Sequence, residues 1–410
     1  MRARLGLALV TLAGTMLFAG DSPPIVVALE DEVFLTGGGG TNIGARTAID
    51  EEGNFLGLHF DQFSGFIAAR GGTPAGLEPA FEIGPFSRGA GLAALGDGEF
   101  VISWSEYQYP LGFLEHVFLR RYEVDGTPVG SEVQVSDVPT EAIAARTAVA
   151  VRPDSFFVAW EDWTGSPQDV AIRGRIVPFA GAPAASFLVS STTGQQTDPR
   201  LATQADGGAL VVWSSDDCAP EDPSDGCIRA RHFGPSGAPS GPDFALNSTT
   251  TDQQTRPAVA PAGDGFVAVW LSVDCGFNCV RGRRVDATGT PVGDDFRIDE
   301  AGSGSAGPGV GGRDTGSFVV AWRRVGGGDF LAYGRAFNAS GAPLTGEFQV
   351  NTSTSSAALD PDVAMNAAGE FVVVWSNDYE LWSRRFELHD PLFQDGFESG
   401  DTSAWSTTVP

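Results

Sequence analysis

The sequence contains no lysine: all 25 of its cationic residues are arginine, set against 52 Asp and Glu, for a formal net charge of −27. Without lysine there is no phosphate-loop lysine, no Schiff-base lysine and no lysine general base. An acidic balance of this size repels nucleic-acid backbones and anionic lipid surfaces, so neither is an expected partner. Histidine is scarce as well. His59, His116, His232 and His389 form no His-Glu-x-x-His motif, and no Gly-x-Ser-x-Gly elbow or Cys-His pairing accompanies them. Apart from the first twenty residues no long apolar run occurs, and that one is too short to span a bilayer. Its pattern is a charged start (Arg2, Arg4), an apolar stretch from Leu5 to Phe18 and a small residue at Ala19 or Gly20, which predicts a secretory leader over 1–20. The expected product is soluble, monomeric, and secreted or periplasmic, with no membrane span.

Export gives the four cysteines a clear expectation. Cys218 follows Trp213 by five residues and Cys275 follows Trp270 by five, while Cys227 and Cys279 each precede a segment of the form x-Arg-x-Arg. Two local disulfides are predicted, Cys218 to Cys227 and Cys275 to Cys279. Zinc is the competing use of a Cys-x3-Cys spacing, but no His pair lies nearby to complete a site.

What the chain has in abundance is repetition, together with 54 Gly and 26 Pro to punctuate it. A phrase close to Gly-x-Phe-Val-Val-Val-Trp ends at Trp104, Trp160, Trp213, Trp270, Trp322 and Trp375, and a degenerate copy puts His59 at the Trp position. The intervals are 45, 56, 53, 57, 52 and 53 residues. Each copy holds four short strand-like segments, which we letter a to d outward: a rich in small residues, b almost wholly apolar, c with an x-Arg-x-Arg pattern, and d marked by an aromatic or Val. This predicts an all-β fold, a seven-bladed β-propeller of four-stranded blades. Strand d is marked by Phe81, Val133, Phe187, Phe244, Phe296 and Phe348, and the seventh copy lacks one. The segment Glu32-Val33-Phe34-Leu35-Thr36 has the right character and spacing, so an N-terminal strand is expected to complete the last blade. The propeller is placed at 21–390, followed by a tail at 391–410. Tandem β-sandwiches are the alternative fold, but they explain neither the single period nor the terminal strand.

The repeats resemble those of a group of large secreted bacterial proteins, mostly uncharacterised, with Phe-Val-Val-Val-Trp, then Arg-Arg-Phe-Asp-x-x-Gly-x-Pro, then Phe-x-Val-Asn-Thr. The resemblance runs from Val33 to about Phe386 and implies a propeller and export, without naming a reaction. The tail Asp395-Gly396-Phe397-Glu398-Ser399-Gly400-Asp401, with Trp405-Ser406 beyond it, looks like a short element found at C-termini of secreted bacterial proteins.

The repeated Trp reads as packing between blades, and the repeated arginines (Arg120, Arg175, Arg231, Arg283, Arg335, Arg384) read as structural, stacked on Trp or paired with a neighbour's carboxylate. Gly307-Pro308-Gly309-Val310-Gly311-Gly312 matches a dinucleotide fingerprint but lies in a strand a position. No cofactor is called for; calcium would be accepted by the oxygens of Asp216, Asp217, Glu221, Asp222 and Asp225, though their spacing fits no ordered calcium loop.

One face stands out. In a propeller the b-to-c and d-to-a loops emerge together, and here they carry Tyr107, Tyr109, Trp163 and Tyr379 near Glu106, Glu161 and Asp162, with Thr, Ser and Gln in the d-to-a loops. Aromatic platforms beside carboxylates suit an extracellular glycan or protein. The expected function is a non-catalytic binding or surface-interaction module. A carbohydrate-active hydrolase or lyase using Glu106, Glu161 or Asp162 is the alternative, and it needs two of those carboxylates to converge. A purely structural envelope protein is the third reading.

Overall fold

A computed structural model describes residues 25–37, 42–61, 65–84, 87–107, 115–137, 144–163, 169–222, 226–300, 304–313, 316–326, 329–353, 358–377 and 380–389. The expected leader and the tail lie outside them. Seven antiparallel sheets follow one another along the chain. Blade 4 is typical: a is Gln196–Thr203, b Ala209–Ser215, c Cys227–Phe233 and d Phe244–Ala245. The a strands of the other blades are Asn42–Ile49, Ser87–Gly96, Ala144–Val151, Gln254–Ala262, Gly304–Gly312 and Leu359–Met365. Each touches the next, and the last touches the first, so they line a closed ring. The fold is a seven-bladed β-propeller. No helix among the described residues is long and apolar enough to cross a membrane.

Small residues in strand a have a steric cause. A Cβ on Gly91 would lie 2.7 Å from the Val149 amide nitrogen of the next blade, and one on Gly309 would lie 2.9 Å from Asp362 Cα. The strand holding Gly309 is also the one that carries the dinucleotide-like string, and no helix follows it. Strand b is covered on both sides, which explains its unbroken apolar run. Its terminal Trp packs on the preceding blade: Trp160 joins Val101, Val117 and Leu119, and Trp213 joins Phe157, Ala159 and Ile172. Burying one such ring contributes about 4 to 6 kcal/mol by area. His59 takes the Trp position in blade 1, at the register shift between Ile43 and Arg46, and is buried.

The N-terminal chain completes the seventh blade. Val33–Gly37 pairs with Glu380–His389 through Val33↔Ser383, and Ile25–Ala28 extends the same edge through Ala28↔Phe386. The strand expected from the sequence is there, and a second short one continues it. The substitution extends to side chains. Asp243 and Asp295, each next to the strand d phenylalanine (Phe244, Phe296), accept backbone N–H groups from the preceding blade's d-to-a loop, Ser191 and Thr249, at 2.7 Å each. In the last blade Glu32 takes this role, accepting from Ser353 at 3.0 Å.

The strand c arginines are structural, as expected, but most of their partners differ from those foreseen. Arg231 donates from Nε to Gly241 O in its own blade and from Nη1 to Val189 O in the previous blade. Arg283, Arg335 and Arg384 repeat the pattern on backbone carbonyls. The rings they cover are Phe233, Phe337 and Phe386, two residues on in the same strand, and not Trp. Residues i and i+2 share a strand face, whereas the Trp belongs to another strand. Two of this set also pair with a carboxylate of the preceding blade's d-to-a loop, as the sequence suggested: Arg175 with Asp137, and Arg335 Nη2 with Glu300 Oε1 at 3.9 Å.

Candidate functional site

Every strand a is interrupted at one equivalent point. Opposite or beside the terminal Trp (His59 in blade 1) the ladder slips, and the extra residue has a left-handed backbone: Gly44, Gly89, Arg146, Asp198, Arg256, Gly307 and Asp360, with φ between 33° and 71°. In blades 4 to 7 proline follows (Pro199, Pro257, Pro308, Pro361), tolerated because a bulge needs no ladder N–H there. The ring of bulges lies at the end of the channel where the b-to-c and d-to-a loops emerge. Three blades meet the φ requirement with Gly, whereas four hold charged residues in a conformation that costs such residues about 1 to 2 kcal/mol each.

Those four charges pair around the mouth. Arg146 Nη1 lies 3.1 Å from Asp198 Oδ1 and 3.3 Å from Glu161 Oε1. Arg256 Nη1 lies 3.4 Å from Asp360 Oδ1. Glu161 also accepts the Asp198 backbone N–H at 2.9 Å, and is buried. Burial pushes its carboxyl pKa up, the Arg146 guanidinium opposing, so the acid is held less readily charged than an ordinary glutamate. Arg323, at the position of Glu161 in blade 6, has its pKa lowered by burial, with Asp360 opposing and Arg256 adding to it.

One step deeper, two residues past each bulge, the ring reads Arg46, Gly91, Ala148, Arg200, Ala258, Gly309, Asp362. Asp362 accepts the Thr47 backbone N–H at 2.9 Å across the seam between the last and first blades, and burial raises its pKa. Burial lowers the Arg200 pKa to about 10, with repulsion from Arg46 adding to it; the group remains charged at neutral pH.

Of the residues singled out by the sequence, Glu161 and Trp163 come together, the indole Nε1 donating to Glu161 Oε2 at 3.3 Å. Asp162, the next residue on the strand, projects to the other side and pairs with Arg173. Glu106 accepts from Trp104 Nε1 at 3.4 Å, in a different blade, and burial raises its pKa. Tyr107 closes the strand Glu99–Tyr107; Tyr109 and Tyr379 lie outside the described residues. Arg46, Arg146, Asp198, Arg200, Arg256, Asp360 and Asp362 were missed. A signal existed: they are the long charged residues at strand a positions that other blades fill with Gly or Ala.

The disulfides Cys218–Cys227 and Cys275–Cys279 are both formed, each bracketing a b-to-c loop. The polar d-to-a loops are more committed to the scaffold than the sequence suggested. Gln196 accepts from Trp213 Nε1 at 2.7 Å, and Gln254 Oε1 accepts from Asn247 at 3.2 Å, both glutamines being fully buried. The acids of the first disulfide loop are likewise divided. Asp216 accepts from the Gln195 amide, Asp217 from Thr193 and the buried Asp222 from Asn247, while Glu221 is exposed and Asp225 lies outside the described residues. Asp274 with Cys275 and Cys279 is a compact group of metal-ligating residue types, but both sulfurs are tied in the disulfide.

No protein-family model and no curated protein sequence matches this chain. Among solved structures, a protein of unknown function from Dyadobacter fermentans DSM 18053 is 9% identical, covering 89% of this chain and 99% of that one, with a TM-score of 0.52. The GH93 α-L-arabinofuranosidase of Fusarium graminearum is 10% identical over 88% of this chain and 97% of that one (TM-score 0.49). The polysaccharide lyase Uly1 is 8% identical over 90% and 100% (TM-score 0.47). At such identities the chain shares a fold with the first of these, and no activity follows from the likeness.

Proposed function

We propose that the protein is an exported, non-catalytic binding module that takes an extracellular ligand on the face carrying the b-to-c and d-to-a loops, over the mouth of the channel. The observation that carries this reading is the state of the acids there. Glu161 is held by Arg146 and the Asp198 amide, Asp162 is turned to Arg173, and Glu106 belongs to another blade beside Trp104. Paired acid and base chemistry needs two carboxylates facing one reacting bond; adjacent residues on a strand face opposite sides. Trp163 beside Glu161 supplies what binding needs, an apolar ring next to acceptors.

The test is a broad glycan array probed with the purified chain 21–410, with and without calcium. A specific hit lost in Trp163→Ala supports the module and places its face. A carbohydrate-active enzyme is the second reading, favoured by one observation: burial raises the Glu161 pKa, as a general acid requires. Turnover of a polysaccharide panel that disappears in Glu161→Gln would replace the binding reading with that one.

A further inference from the structure

Most arginines among the described residues are held by a carboxylate or by backbone carbonyls from other parts of the chain. Arg229 lies 3.1 Å from Asp243, Arg281 lies 2.9 Å from Asp295, and Arg324 meets Glu347. Arg46 and Arg200 differ. Each donates one hydrogen bond, to the carbonyl of the residue just before it: Arg46 Nη1 to Ala45 O at 2.7 Å and Arg200 Nη1 to Pro199 O at 3.1 Å. Neither has a carboxylate within 4.0 Å among the described residues. Asp362, the acid on their ring, accepts the Thr47 amide on one oxygen and attracts both arginines without pairing with either, so two cations face one anion at this level. A guanidinium carries five donors, so most of the donors of both arginines remain uncommitted. Both residues are half-buried, and their remaining nitrogens are not sealed into the protein.

Their position makes this more than two unpaired surface charges. They stand on the innermost strands, at a ring position where four blades have only Gly or Ala, in a molecule of net charge −27. Two like charges brought together in an enclosed channel repel, and the separation from bulk water raises that cost. A bound anion would relieve it, and guanidinium groups suit a planar carboxylate. Above them, the rim offers the partly exposed Asp198 and Asp360 as hydrogen-bond acceptors and Trp163 as a ring. Acceptors are what hydroxyl groups need.

We propose that the channel is a carboxylate site for an acidic sugar of the uronate type, its carboxylate held by Arg46 and Arg200 and its hydroxyl groups directed to the rim acids. This rests on the binding-module reading and gives it a ligand class. The assay is titration calorimetry of the purified chain 21–410 with glucuronate, glucose, acetate and triglycine, at low and high salt. Glucuronate should bind about tenfold tighter than glucose, with the advantage shrinking in high salt. It should also bind tighter than acetate or triglycine. Arg46→Gln and Arg200→Gln should each remove most of the preference, and Arg200→Lys should retain part of it.

Equal binding of glucose and glucuronate, or an unchanged preference in both Gln variants, overturns the proposal while leaving a neutral-ligand module standing. Acetate or triglycine matching glucuronate overturns the sugar assignment. Failure of all four probes overturns the site, whatever the glycan array shows. Should the Gln variants not fold, phenylglyoxal labelling of the unaltered protein with peptide mass mapping serves instead. Glucuronate, but not glucose, must slow modification of Arg46 and Arg200, and equal labelling overturns the proposal.

Discussion

Arg146 and Asp198 hold the same repeat position in consecutive blades, both with left-handed backbone (φ 33° and 55°), and their side chains meet at 3.1 Å. The backbone requirement is shared by all seven blades, because an inner strand must turn from the loop into the channel wall at this point. What varies is whether the residue that meets it is Gly or carries charge. The same bulge that shapes the ring therefore also displays the charges at its mouth.

Replacing Gly307 with Ala should destabilise by about 1 to 2 kcal/mol, because φ is 57° and the new Cβ would lie 3.0 Å from Asp360 Oδ1. Arg256→Gly removes the left-handed penalty and loses only a half-exposed ion pair. It should leave stability at or above the parent level. Urea denaturation of both variants measures this, and a strongly destabilised Arg256→Gly would show that the ion pair outweighs the backbone term.

Glu161→Gln should alter how stability depends on pH. Burial raises the folded pKa of Glu161 above its ordinary 4.5. Between those two values the folded state binds the extra proton, so this group's contribution falls as pH rises from the unfolded value through the folded one. Gln cannot ionise. The stability of the variant relative to the parent should thus increase from pH 4 to pH 7 in paired thermal melts, and a decrease would mean that the Arg146 pair dominates burial.

Leu35 is fully buried against Phe55, Val372, Val374 and Leu381, joining the N-terminal strand to the first and last blades. Leu35→Ala should cost about 2 to 5 kcal/mol. Deleting 25–37 should have a different signature, since it leaves Glu380–His389 as an open strand edge. Self-association in sedimentation velocity is the expected result. A monomeric, equally stable truncation would show that closure does not depend on these strands.

Removing Cys218–Cys227 or Cys275–Cys279 by double Ser substitution should lower stability by about 2 to 3 kcal/mol each, from the chain entropy of loops this short. Denaturation with and without reductant gives the same comparison on the unaltered chain. The two losses should add, because they fall in separate blades.

The blades were legible because each is a local unit. The Trp of strand b, the small residues of strand a and the aromatic of strand d recur at one spacing, and each is demanded by packing against an identical neighbour. The N-terminal strand was legible for the same reason: Val33 stands where the other copies have Phe81 or Phe244. The disulfides followed from two cysteine pairs at matching repeat positions. The mouth was less legible. Trp163 and Glu161 were found as a loop pair, but their company of Arg146 and Asp198 was not. Asp162 looked equivalent to Glu161 until strand alternation sent it to Arg173.

The sequence by itself determined the period, the number of blades, the identity of the closing strand and the covalent cross-links, since all of these repeat along the chain or lie close together in it. Only the tertiary structure decided what the channel contains. Arg46, Arg200 and Asp362 are more than 150 residues apart in every pairing, and nothing local relates them. Closing the ring brings one residue from each blade to a common level, and that is where three exceptions to a small-residue rule become one charged site.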